Sequence, residues 1–102
     1  MSKPVHRALC IHEADNVAVV LSDVAPGDEV MVQGGSKPGR FIASERIPAG
    51  HKLALVPLGE DQVVIKYGET IGKMTRSVQT GGHVHTHNVV GLRGRMRIGD
   101  ME

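Results

Sequence analysis

One short pattern recurs along this chain and restricts its fold more than any other feature: an apolar residue, two residues, Gly, two residues, an apolar residue. It occurs as Val24-Ala25-Pro26-Gly27-Asp28-Glu29-Val30, as Ile47-Pro48-Ala49-Gly50-His51-Lys52-Leu53 and as Val78-Gln79-Thr80-Gly81-Gly82-His83-Val84. Each copy reads as a tight turn that launches a strand, because Gly at the fourth position gives the backbone the positive φ that a sharp reversal often needs. Gly and Pro punctuate the rest of the chain every eight to twelve residues or about that, the spacing of all-β domains made of short strands. No long helical pattern competes.

The strands expected between these turns are Val5 to Ile11, Asn16 to Leu21, Glu29 to Gln33, Arg40 to Ala43, Lys52 to Val56, Gln62 to Tyr67 and a last stretch from Val89 to Ile98. The run Gly34-Gly35-Ser36-Lys37-Pro38-Gly39 cannot sustain a ladder and reads as a hairpin tip or mobile loop. The 102 residues make one domain, too small for an enclosed active site together with a separate cofactor domain. Its core must be aliphatic, since Val is the commonest apolar residue, Phe41 and Tyr67 are the only aromatics and Trp is absent.

Composition also excludes function classes. Twelve basic and eleven acidic side chains are mixed along the chain for a net charge of +1, so no strong field draws nucleic acid. The scarcity of aromatics removes the stacking platforms of single-strand binders. Cys10 is the only cysteine and lies in the apolar run Ala8-Leu9-Cys10-Ile11, where it reads as a small buried hydrophobe rather than a reactive thiol. With neither a membrane-length apolar run nor a leader-like N-terminus, the expectation is a soluble cytoplasmic protein.

The candidate chemistry lies in the third copy of the turn and just beyond it. His83, His85 and His87 alternate in Gly81-Gly82-His83-Val84-His85-Thr86-His87-Asn88. In an extended strand they share one face, and imidazoles spaced this way can converge on a metal ion, a carboxylate or a transferable proton. The competing reading is a polar strand face in water, closed by a turn at Asn88. All three on one strand cannot reach one ion, because alternate side chains stand about 6.5–7 Å apart, though two neighbours can lean together. Of the other histidines, His51 reads as a structural group bonding nearby backbone, and His12, beside Glu13 and Asp15, as a possible member of the same cleft. His6 is assigned no role. Arg93, Arg95 and Arg97 alternate in the basic tail 91–102, which reads as a solvated edge or a partner-docking segment, although Arg forks also suit carboxylates and sulfonates.

Four blocks together carry a family resemblance: Asp15-Asn16-Val17-Ala18-Val19, Ile47-Pro48-Ala49-Gly50-His51-Lys52-Leu53-Ala54-Leu55, Val64-Ile65-Lys66-Tyr67-Gly68-Glu69-Thr70-Ile71-Gly72 and His83-Val84-His85-Thr86-His87-Asn88. In this order, over roughly residues 8 to 90, they closely resemble the N-terminal SAF-type domain of the altronate and galactarate dehydratases, which also occurs as a separate subunit of sulfolactate sulfo-lyase. The resemblance implies a β-clip, a long bent hairpin folded on itself, working beside a much larger partner. Because the chain stops soon after the His-rich block, the split, two-subunit form is expected, with no activity of the chain alone.

The implied chemistry is elimination from an acidic 2-hydroxy acid, in the first place loss of water from altronate or galactarate, with loss of sulfite from sulfolactate as the alternative. Such a reaction profits from a positioned acid or base and from a metal, here divalent iron or manganese, held by this chain, by the partner or by both. On this reading His85 and His87 are the catalytic pair, His83 joins them as a metal ligand, and Asn88 orients the turn or bonds substrate, with His12 as a further substrate contact. Two other classes stay open: a module that binds a sugar acid or metal without catalysis, and a structural domain that drives oligomerisation. A homo-oligomer is expected in any case, because short strands leave edges to be covered.

Overall fold

The computed structural model describes residues 4–91. Nine strands follow one another: β1 (Val5–Leu9), β2 (Val17–Val20), β3 (Glu29–Gln33), β4 (Gly39–Ile42), β5 (Lys52–Ala54), β6 (Val63–Lys66), β7 (Glu69–Met74), β8 (His83–Val84) and β9 (Val89–Val90). They form a six-stranded sheet in the order β4-β3-β1-β2-β5-β8 and a three-stranded sheet in the order β6-β7-β9. No helix occurs among the described residues, so none there is long and apolar enough to cross a membrane. The all-β expectation holds, and the two sheets make the clip that the resemblance implies. The basic tail with Arg93, Arg95 and Arg97, and most of the strand expected from Val89 to Ile98, lie outside the described residues.

The turn pattern governs the architecture more fully than the sequence suggests, because there are four copies. The fourth is Leu58-Gly59-Glu60-Asp61-Gln62-Val63-Val64, hidden by an aspartate where the others carry Gly. Asp61 nonetheless adopts φ 69°, alongside 87° at Gly27, 84° at Gly50 and 85° at Gly81. In every copy the residue after this position donates its N–H to the carbonyl of the copy's second residue: Asp28 to Ala25, His51 to Pro48, Gln62 to Gly59, Gly82 to Gln79. The copies pair through the bridges Val24↔Ile47 and Leu58↔Val78. Their last residues, Val30, Leu53, Val64 and Val84, are all fully buried. Left-handed backbone costs an ordinary side chain about 1–2 kcal/mol and aspartate less, so Asp61→Gly is expected to stabilise the fold by about 0.5–1 kcal/mol. A thermal melt checks it: a midpoint raised by a few degrees is the expected result, and an unchanged or lowered one refutes the equivalence of the fourth turn.

Two cores lie on either side of a shared wall. Ala18, Val20, Leu53 and Leu55 face one cluster together with Ala8, Val30, Val32 and Ile47, whereas Val17 and Ala54 face a second with Leu58, Val64, Met74, Val84 and Val89. Successive strand residues point to opposite faces, so β2 and β5 must be apolar at consecutive positions to serve both clusters. This is why Val17-Ala18-Val19-Val20 and Leu53-Ala54-Leu55 read as continuous apolar runs.

The segment Asp15-Asn16 ties the small sheet to this wall. Asn16 donates its amide N–H to the Val63 carbonyl at 2.9 Å and accepts the Ile65 N–H at 2.9 Å, while Leu55 donates to its backbone carbonyl at 3.0 Å. Asp15, itself buried, accepts the N–H of Gly68 at 2.7 Å and that of His12 at 3.1 Å. One side chain thereby fixes the loop after β1 to the tip of the β6–β7 hairpin.

Strand β7 is absent from the sequence expectation. Its interior Gly72 is where β9 comes closest, since a Cβ there would stand 2.5 Å from the Val90 carbonyl oxygen. The hairpin turn before it places Tyr67 and Gly68 at φ 55° and 77°, as two-residue reversals require. The loop at Gly34 and Gly35 is packed, because a Cβ at Gly35 would meet the Cys10 sulfur at 2.4 Å. Cys10 is buried as expected, and burial, then the charge of Asp15, raise its thiol pKa, which leaves it unreactive.

Candidate functional site

Strand β8 ends at Val84, so the expected three-histidine strand face does not form. The chain bends at His85 and turns through Thr86, His87 and Asn88 before β9. Bending brings the rings closer than an extended strand allows: His83 and His87 have centroids 4.6 Å apart and His83 and His85 6.0 Å.

A fourth imidazole completes the group. Strand β5 pairs with β8 through Leu53↔His83 and Lys52↔Val84, and continuing that register by one pair sets His51 opposite His85. Their rings stack with centroids 3.5 Å apart and planes inclined by 15°. On its other side His51 reaches the diagonal neighbour, with Nδ1 2.8 Å from Nε2 of His83, so that one nitrogen donates a proton to the lone pair of the other. Sequence reasoning had placed His51 outside the site as a backbone-bonding group. The signal that could have found it is the turn pattern itself, which puts His51 just after Gly50 and His83 two residues after Gly81, at the starts of two strands that then pair.

Asn88 holds this arrangement in place. Its side-chain oxygen accepts the His85 N–H at 2.9 Å, its amide nitrogen donates to the His83 carbonyl at 2.9 Å, and its backbone carbonyl accepts the Thr75 N–H at 2.9 Å. It is 1 % exposed. Of the two roles expected for Asn88, orienting the turn and bonding substrate, the structure places it in the first, with both amide atoms engaged and buried. Glu45 adds a second clamp, accepting the His83 N–H at 3.0 Å, and it was not singled out from the sequence. The same residue lines an open cleft of about 520 Å³ with Ser44, Pro57, Leu58, Ser77 and Gln79.

Electrostatics keep His83 neutral. Burial, and then the neighbouring His87 and His51, lower the His83 pKa from 6.5 to about 4 against the opposing pull of Glu45. His83 therefore carries no charge at neutral pH, and His87 is the exposed member. His12 stands apart. Its ring packs against Gly68 at the tip of the β6–β7 hairpin and its Nδ1 accepts the Ala14 N–H at 3.0 Å, whereas β9 joins the hairpin at its other end, at Lys73 and Met74. The common cleft expected for His12 and the cluster does not form within the described residues.

Imidazole is a suitable donor for divalent iron or manganese in kind. The arrangement is unsuitable in geometry: the rings lie face to face, His51 and His83 direct nitrogens at each other, and no three His, Cys, Asp or Glu side chains among the described residues converge as ligands would. What the group can do on its own is present imidazole nitrogens at the turn, with His51 and His83 fixed by the hydrogen bond between them.

Residues 6–92 match the model of the altronate/galactarate dehydratase SAF domain. The chain is 40% identical over 83 residues to the (2R)-sulfolactate sulfo-lyase subunit alpha of Chromohalobacter salexigens, covering 78% of this chain and 88% of that one. It is 55% identical over 49 residues to the subunit of the same name from Paracoccus pantotrophus, covering 48% of this chain and 73% of the relative. To the altronate dehydratase of Escherichia coli (strain K12) it is 42% identical over 78 residues, 76% of this chain but only 15% of the enzyme.

Proposed function

Because the chain belongs to the altronate/galactarate dehydratase SAF domain family, we propose that it acts as the small subunit of a two-component lyase that eliminates a leaving group from an acidic 2-hydroxy acid. The observation that carries the proposal is the cluster of His51, His83, His85 and His87, an imidazole group with His87 at the surface and so suited to completing a site on another chain. Coverage favours a sulfonated substrate: the chain spans 88% and 73% of two sulfo-lyase alpha subunits but only 15% of an altronate dehydratase. Those alpha subunits are named as parts of a larger enzyme, which supports a large catalytic partner here.

Elimination of sulfite from a 3-sulfo-2-hydroxy acid breaks the C2–H bond and the C3–S bond. The electron pair of the first becomes the new C=C bond, and that of the second leaves with sulfite. The product is an enol that relaxes to the 2-oxo acid. A base must take the C2 proton, and a donor must protonate the enol carbon afterwards. In this proposal His87, exposed at the turn, and His85 meet the substrate. His51 and His83 stand behind them, bonded to each other, and hold the ring that His85 stacks on. The iron or manganese that the family implies is assigned to the large subunit, since no ligand set for it assembles among the described residues.

The test is to combine the chain with the large subunit and assay sulfolactate, altronate and galactarate in parallel. Sulfite release that needs both chains is the expected result. Dehydration of altronate or galactarate without sulfite release would move the assignment to a hydro-lyase. Tight binding of a sugar acid by this chain alone, with no partner captured and no turnover, would replace it by a binding module.

A further inference from the structure

A second hydrogen-bonded constellation lies outside the histidine cluster and shares no residue with it. His6, to which sequence reasoning gave no role, projects from β1. Its Nδ1 is 2.7 Å from the hydroxyl of Ser22 and its Nε2 is 2.9 Å from the carboxylate of Asp28. Three separate segments create the contact. β1 runs parallel to β3 with His6 opposite Val30, which brings Asp28, just ahead of β3, alongside it. The chain leaving β2 folds back on β1 through the Leu21 N–H to Arg7 carbonyl bond, which delivers Ser22.

The protonation pattern follows from these partners. An ionised carboxylate only accepts hydrogen bonds, so Nε2 of a neutral His6 carries the proton and Nδ1 offers its lone pair to the Ser22 O–H. Asp28 is braced in turn, since the same oxygen accepts the Ala25 N–H at 3.1 Å. The His6 and Asp28 side chains are 12% and 16% exposed, whereas Ser22 is open to solvent. An exposed hydroxyl bonded to an imidazole that is oriented by a held carboxylate is the arrangement that activates a serine nucleophile. Beside it is a recess of about 170 Å³ lined by Asp23, Val24, Ala25, Asp28 and Arg46, with room for a small acyl group.

We propose that Ser22, His6 and Asp28 form an acyl-transfer site that reacts with activated esters of small carboxylic acids. Ser22 Oγ bonds to the carbonyl carbon while its proton passes to His6 Nδ1. The carbon–oxygen bond to the leaving alcohol then breaks, and that alcohol takes the proton from His6. Water, deprotonated by His6, hydrolyses the acyl-serine and returns the free hydroxyl and the carboxylic acid.

The whole chain is incubated near neutral pH with 4-nitrophenyl acetate and, separately, with a fluorophosphonate probe, and the adducts are mapped by mass spectrometry. The expected result is a single fluorophosphonate adduct on Ser22 and an acetyl adduct there that turns over. Ser22→Ala abolishes both, and His6→Gln slows them by about 100-fold or more. Because His6 also fastens β1 to the first turn, circular dichroism and a thermal melt accompany each variant. No fluorophosphonate adduct, acetylation confined to lysines at the same rate in Ser22→Ala, or a folded His6→Gln variant that reacts as fast as the parent would each overturn the assignment.

Discussion

Replacing Gly81 by Ala is expected to lower the thermal midpoint by about 15 °C or more, whereas the same change at Gly50 costs only a few degrees. Both residues occupy the fourth position of a turn copy with nearly the same backbone, φ 85° and 84°. Each substitution therefore carries the left-handed penalty of about 1–2 kcal/mol, partly offset by the reduced freedom of the unfolded chain. Their surroundings differ. A Cβ on Gly50 meets nothing within 4 Å, but one on Gly81 would stand 2.2 Å from the Ile42 carbonyl oxygen and 3.3 Å from the Ser44 nitrogen. Those atoms are backbone and cannot rotate aside, so the β4 end must move and strain the Ser44 N–H to Gly81 carbonyl bond at 3.0 Å. A further overpacking term of about 1–3 kcal/mol follows, and a domain of this size loses about 4–8 °C per kcal/mol. Equal melting shifts for the two variants would show that the close approach at Gly81 has no energetic consequence.

That contrast also shows where the sequence is informative. The turn pattern could be read because its physical cause is local: a Gly at fixed spacing marks a positive φ wherever it stands, and the buried seventh residue follows. The fourth copy escaped because Asp61 accepts the same φ without advertising it. β7 escaped because Gly72 answers to β9 eighteen residues later, a non-local demand. The histidines show the same division. Alternation identified His83, His85 and His87 as a group, but their mutual geometry depends on where β8 stops and on the β5 register that sets His51 opposite His85. Neither can be read from spacing alone. His6 is the extreme case, since Asp28 reaches it only through the parallel pairing of β1 with β3 and Ser22 only where the chain leaving β2 folds back on β1.

In the two-subunit assembly, the His85→Ala/His87→Ala double variant is expected to lose about 100- to 10,000-fold in kcat/KM, the usual reach of a general acid–base pair, while the subunits still associate. The accompanying signature is a change in how stability depends on pH. Folded His83 takes up its proton near pH 4, whereas the unfolded chain takes one up near 6.5. Below 6.5 the unfolded state therefore binds more protons, so the stabilising contribution is complete above 6.5 and is lost as the pH falls toward 4. His83→Gln removes that titration and should flatten the decline of the melting midpoint across this window, leaving the profile above it unchanged in shape. Removing His85 and His87 takes away His87, the first of the neighbouring groups that lower the His83 pKa, but leaves the larger effect of burial and that of His51, so the slope should be reduced yet still present in the double variant. Activity lost with the acid slope retained places His85 and His87 at the substrate. Activity kept within about tenfold of the parent, or subunits that no longer associate, would show that the four rings serve the fold alone, and the assignment of catalysis to this turn would fail.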